Sequence, residues 1–196
     1  MAREHGGTAT QIIEAGRACL LADGYAALST RRVADLAGVP LSQIHYHFGG
    51  KRGLILALLD AENQRLVDRQ RRMYGDEAPL WKRYDQACDL LDEDLASGYV
   101  RVLQEMVAAG WSDPAVAQRV LGMLRAWFMV LEGVAREAAG RFGPLGPFTP
   151  ADVAGLIGLS FLGGESVILL GDDEWSGRVR AWLRSVGALI RDAEER

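Results

Sequence analysis

Apolar residues recur along this chain three and four positions apart, and nowhere sustain the alternation of a half-buried strand. Ile12, Ile13, Gly16, Cys19 and Leu20 form the first stripe, from about Thr10 to Asp23, and Gly24 is placed to end it. A second, short helix starts near Ser29, a residue type whose hydroxyl caps free backbone N–H groups, and turns Val33, Leu36 and Ala37 inward. Gly38-Val39 ends it, Pro40 opens a third helix running to His47, and Gly49-Gly50 breaks the pattern. A long fourth helix begins at Lys51 and continues past Arg72. Gly75 to Pro79 reads as a linker. Helices are then expected over Trp81–Ala96, Tyr99–Ala109, Asp113–Ala139, Pro150–Leu170 and Glu174–Glu195. Asp113 serves as a cap with Pro114 in the first helical position, and a Gly/Pro loop covers 140–150. The fold expected is all-α, with about nine helices.

The second and third helices, joined by Gly38-Val39, have the form of a helix-turn-helix. Val33, Ala34, Ala37, Val39, Ile44 and Phe48 are spaced to pack both helices on the first, and Gly38 suits the left-handed conformation of the turn. The outer face of the third helix then presents Leu41, Ser42, Gln43, His45, Tyr46 and His47. Such a helix fits the DNA major groove, where Gln pairs bidentately with adenine, Ser bonds several base edges and Leu meets a thymine methyl. His45, Tyr46, His47 and Lys51 have the reach for phosphate. Lys51 also starts a helix, so its ammonium and the free N–H groups there act on one phosphate together.

Composition sharpens this picture. The chain has 196 residues, 49% of them hydrophobic, enough for a real core, and a net charge of −4 that argues against a general nucleic-acid glue. The charge is unevenly placed: up to Arg52 there are six basic residues, including Arg3 and Arg31, against four acidic ones, including Glu4. All three histidines, His5, His45 and His47, lie there as well. A basic head on an acidic body suits a protein that touches phosphate at one end. Cys19 and Cys88 have no partner at metal or redox spacing and read as small buried hydrophobes in a reducing compartment. The apolar run from Val153 to Gly171 could pass for a membrane span, but Glu165 inside it favours a buried helix. No secretory leader opens the sequence, and a cytoplasmic location is expected.

Ser29-Thr-Arg-Arg-Val-Ala-Asp-Leu-Ala-Gly-Val-Pro-Leu-Ser-Gln-Ile-His-Tyr-His-Phe-Gly-Gly-Lys51 resembles the signature of the tetracycline-repressor (TetR) family. The matching positions are Ser29-Thr30, Val33-Ala34, Ala37-Gly38-Val39, His47-Phe48 and Lys51, with Ile12-Ile13 and Gly24-Tyr25 before them. The resemblance implies a three-helix DNA-binding domain, here residues 1–52, and a helical bundle for ligand binding and dimerisation, here 53–196. It implies that Thr30 and Arg31 reach DNA, Arg31 being suited to guanine. It places Leu41, Ser42, Gln43 and His45 at base-reading positions and Tyr46, His47 and Lys51 at phosphate positions. Three positions depart from the family pattern: His45 where tyrosine is usual, Pro40 where Ser or Thr is common, and Ser42 in place of a glycine.

The body holds candidates for an effector pocket in Tyr84, Met106, Trp111, Met123, Trp127, Phe128, Phe161 and Glu165, which read equally as core residues. Asp92-Glu93-Asp94 reads as a solvated helix face. The helix from Pro150 carries Gly155, Gly158, Gly163 and Gly164, each costing about 1 kcal/mol against alanine unless close packing offsets it. Ala151, Gly155, Leu159 and Gly163 share one face; Ala154, Gly158 and Leu162 share another. With Trp175, Val179, Trp182, Val186, Leu189 and Ile190 of the last helix, they suit a four-helix homodimer interface. No triad, carboxylate pair, metal cluster or cofactor fingerprint stands out, so neither an enzyme nor a cofactor is expected. The expected function is a DNA-binding transcriptional regulator, most simply a repressor released by a small-molecule effector. The rivals are a regulator without an effector and a ligand-binding protein whose head no longer reads DNA.

Overall fold

The computed structural model describes residues 2–195, with the side chains of 2–6, 25 and 26 left aside. The side chains of Arg3, Glu4, His5 and Tyr25, used above for charge and resemblance, therefore lie outside what is described. The described residues form nine α-helices and no strand. They are α1 (Ala2–Ala27), α2 (Thr30–Ala37), α3 (Leu41–Phe48), α4 (Lys51–Tyr74), α5 (Leu80–Ala96), α6 (Tyr99–Gly110), α7 (Pro114–Phe142), α8 (Pro150–Ile168) and α9 (Asp173–Glu194). They gather into two compact units, one of Met1–Arg65 with Ser97–Met123, the other of Leu66–Ala96 with Leu124–Arg196.

In the first unit, Ile12 of α1, Val33 of α2 and Ile44 of α3 are completely buried. Each such side chain contributes roughly 1.5–3 kcal/mol by leaving water. Gly16 lets Leu58 of α4 close on α1, since a Cβ there would stand 3.0 Å from Leu58 Cδ1. Glu62 is buried and held by Arg17 (2.8 Å) and Arg65 (2.5 Å). Three details differ from the sequence reading. Residues 2–9 extend α1 backwards, where polar residues offered no apolar period, while Gly24 (φ 79°, ψ 174°) breaks the regular helix at the expected place, with a short helical piece after it to Ala27. Ser29 occupies the cap position of α2, yet its side chain makes no capping bond. Leu36 is 59% exposed rather than inward, because it lies about 200° round the helix from buried Ala34.

In the second unit, α9 packs on α5 and α8. Gly187 of α9 admits α5: a Cβ there would meet Asp85 Oδ1 at 2.6 Å and Tyr84 Cδ1 at 3.3 Å. Tyr84 donates its hydroxyl proton to the Leu183 carbonyl (3.0 Å). Asp92 pairs with Arg180 (2.7 Å) and Asp94 with Arg69, so the acidic run is not merely a solvated face. Helical spacing aims these carboxylates at cations of neighbouring helices, which one helix's sequence cannot reveal. Glu194 accepts from the Leu80 and Trp81 N–H groups (3.0 Å each), capping α5 from the far end of the chain. Cys19 and Cys88 are buried, and burial raises both thiols, Cys88 to about 11.

Arg83 is the most deeply buried charge in this unit, 2% exposed, forked onto Glu137 (2.6 and 3.2 Å) and donating to the Tyr74 carbonyl. The Arg83 hydrogen bond, then its charge and that of Arg141, hold the Glu137 carboxyl below its ordinary value. Glu137→Gln is expected to destabilise the fold by about 2–3 kcal/mol in urea unfolding, since it strands a buried cation. The paired change Arg83→Met, Glu137→Leu should recover most of that loss. Because the folded pKa is depressed, this contribution is complete above the unfolded carboxyl value of about 4.3 and fades as pH falls through the folded one. Equal losses in the single and paired variants would contradict the account.

α8 is long and apolar enough, by composition, to cross a membrane, and a third of that stretch is buried within the fold. The helix expected to be buried is thus buried on one face only, through Ala154, Gly158, Phe161, Gly164 and Glu165, while Leu156 and Leu159 are exposed.

Candidate nucleic-acid interface

Two left-handed glycines shape the corner that presents α3. Gly38 (φ 67°) ends α2, with its N–H and that of Val39 returned to Asp35 and Ala34, and Gly49 (φ 71°) ends α3. Between them α3 has one fully buried residue, Ile44, which anchors it. Leu41, Ser42, His45 and Tyr46 face outward, Tyr46 being 69% exposed, while Gln43 and His47 are half-buried. The Tyr46 and His47 rings meet edge to face at 5.0 Å. The His45 ring leans over Gly50, where a Cβ would lie 3.6 Å from Nδ1. Arg31 is exposed and Thr30 half-buried at the start of α2, and Lys51 is exposed as the first residue of α4. All nine residues expected at DNA are thus on three consecutive helices around one corner, with apolar anchors behind them.

Sequence reasoning missed the pairing of the remaining cations here. Arg32 is tied to Asp23 (2.5 Å) and Arg52 to Asp113 (2.6 Å). Asp113 also caps α7, accepting from Ala115 N–H (2.9 Å) and Val116 N–H (3.3 Å). The Arg52 hydrogen bond, followed by those backbone donors, holds its carboxyl low. Only the capping role was legible, in Asp113-Pro114.

The eight effector candidates do not converge on one cavity. Met106 and Met123 are buried in the first unit and Trp111 is 85% exposed there. In the second unit Phe161 packs against Tyr84 (6.1 Å between ring centroids), Trp127 leans on Phe128 (5.4 Å), and Glu165 is buried. Of the eight, Tyr84 alone lines an apolar cavity of this unit, which has a volume of about 230 Å³.

The glycines of α8 divide by face. A Cβ at Gly158 would stand 2.3 Å from Phe128 Cε1, and one at Gly164 2.8 Å from Val179 Cγ1, so both serve packing within the unit. At Gly155 and Gly163 nothing lies within 4 Å. That outward side carries exposed Leu156 and Leu159, and α9 adds exposed Trp175, Trp182 and Leu189, with the two indoles edge to face at 6.0 Å.

Comparison with known proteins agrees with this geometry. Residues 12–58 match the model of "Bacterial regulatory proteins, tetR family", a span that holds the helix-turn-helix and the start of α4. No curated protein matches the chain. Among solved structures, a TetR transcription regulator from Haloarcula marismortui is 21% identical with a TM-score of 0.77, over 96% of this chain and 98% of that one. Bacillus subtilis FadR in complex with stearoyl-CoA is 17% identical with a TM-score of 0.72, over 92% and 96%. A protein from Saccharomonospora viridis in complex with choline is 18% identical with a TM-score of 0.74, over 92% and 95%. At such identities the likeness shows a shared fold, and the family match is carried by residues 12–58: this N-terminal segment is that of the tetR family of bacterial regulatory proteins.

Proposed function

We propose that this regulator is a homodimeric, sequence-specific repressor that reads an operator through α3 and the start of α2, and that a small molecule bound in its body releases it. The observation that carries the reading is the division of α3 into one buried anchor, Ile44, and an outward face of Leu41, Ser42, His45 and Tyr46. A packing helix of 8 residues would not spend four side chains of that kind on its surface. Thr30, Arg31, Gln43, His47 and Lys51 complete the contact set. The outward apolar side of α8 and α9 supports a two-fold dimer, which would present two recognition helices to half-sites about 34–36 Å apart. Such a protein works in the cytoplasm, where its DNA is.

An effector role is supported by the apolar cavity in the second unit and by the two fold neighbours solved with stearoyl-CoA and choline. A solidly packed body would have favoured a regulator without an effector. Release would work by population shift: the ligand favours an orientation of α4 in which the recognition helices no longer match the half-sites. Equal effector affinity for free and operator-bound protein would rule this out.

The test is selection of duplexes from a random DNA pool at stated, moderate salt. One palindromic consensus with two separated half-sites is the expected outcome. Recovery of nothing above background, from folded and dimeric protein, would transfer the function to ligand binding alone.

A further inference from the structure

We propose that the cavity among α5, α7, α8 and α9 is the effector site, and that it takes an uncharged, largely apolar molecule with one hydrogen-bonding group directed to Tyr74. The proposal rests on the reading of the body as ligand-binding and names the site and the ligand class. Leu131, Val134, Phe142, Ile157 and Ile190 form its apolar walls. Ala135, Ala138 and Ala193 leave open the space that larger side chains would fill. The cavity has a volume of about 230 Å³ and opens to the surface beside Leu189, which gives a ligand a way in.

The charge pattern selects the class. No Asp, Glu, Lys, Arg or His lines the cavity. Three ions close in sequence to its walls are committed elsewhere: Arg83 to Glu137 and the Tyr74 carbonyl, Glu194 to the Leu80 and Trp81 N–H groups, and Arg191 over the Trp81 ring at 3.7 Å. An ion entering would shed its hydration and gain no counter-charge. Two phenols are the only polar side chains in the wall. Tyr84 spends its proton on the Leu183 carbonyl. Tyr74 is 8% exposed, and its hydroxyl has no hydrogen-bond partner among the described residues. Burial keeps that phenol protonated well above its ordinary range, so it stays a neutral donor and acceptor. Tyr74 and Val134 also line a shallower cleft holding Arg71 and Glu137, where a charged head group would have to sit instead.

The test uses the full chain and N-phenyl-1-naphthylamine, an uncharged aromatic that fluoresces in apolar surroundings. Saturable binding at one site per chain is expected, with displacement by 1-decanol at least about tenfold more effective than by decanoate or decylammonium. Ala138→Phe and, separately, Ala193→Phe should each weaken binding about tenfold or more while melting no lower than the parent. Tyr74→Phe should weaken decanol by roughly fivefold to tenfold and leave displacement by 1-chlorodecane unchanged. Absence of saturable binding, or binding that survives both fillings, would overturn the site. Decanoate displacing as well as decanol would overturn the uncharged class and point to Arg71 in the cleft. Operator selection without ligand reads separately: its failure with probe binding intact sinks the repressor and leaves the cavity standing.

Discussion

The double substitution Gly155→Leu, Gly163→Leu is expected to produce monomers and to lower operator affinity by roughly two to four orders of magnitude. Within the chain neither position has an atom within 4 Å of an added Cβ, so the subunit has room for both side chains. Each glycine replaced inside the helix should favour the monomer's fold by up to about 1 kcal/mol. The damage falls on whatever approaches that side of α8. If a second copy does, four added methyl groups per chain hold the two apart. Linked half-sites then become two independent, weak contacts, and the effective concentration that joined them is lost. Analytical ultracentrifugation reads the assembly, thermal melting the fold, and operator titration the consequence. Gly158→Leu serves as the contrast, because its Cβ would strike Phe128 at 2.3 Å and should unfold the subunit rather than dissociate it. Intact dimers with full operator affinity in the double variant would place the interface elsewhere.

Arg31→Ala and Gln43→Ala are each expected to cost about 1–3 kcal/mol per half-site, hence roughly thirtyfold to twenty-thousandfold for a dimer, and to relax the consensus at one symmetric position. Arg31 is exposed and Gln43 half-buried at the corner, and neither is tied to a carboxylate among the described residues. Lys51→Ala should behave differently, weakening all sequences alike and lowering the salt slope by about two per dimer. Arg32→Ala and Arg52→Ala should do less, since Asp23 and Asp113 already hold those guanidinium groups. Mobility-shift titrations over a salt series separate the three behaviours. An Arg31→Ala protein with parental affinity and consensus would remove that residue from the interface.

The corner was readable because its parts carry local signals: Gly38 and Gly49 at left-handed positions, small alanines facing α1, and a polar outer face on a short helix. Helix limits in the body followed from Asp113-Pro114, Pro150 and the glycines for the same reason. The effector candidates were a poorer guide. Aromatic and methionine side chains at helical spacing look alike whether they fill a core, as Met106 does, or point outward, as Trp111 does. The cavity is bounded by Ala135, Ala138 and Ala193, which mark it by what they lack, and no local pattern records an empty volume. Ion pairs such as Arg83–Glu137, 54 positions apart, were hidden in the same way. They depend on which helices become neighbours.

Leu189 belongs to two surfaces at once: it lines the cavity and, 68% exposed, stands on the outward side of α9. Anything that enters the cavity and anything that covers that side must therefore settle against the same side chain. By thermodynamic reciprocity, an occupant that strengthens or weakens subunit association is itself bound more or less tightly by the same factor in the associated form. Dose and abundance then become coupled variables, and the concentration of inducer needed for release would drift with the copy number of the regulator.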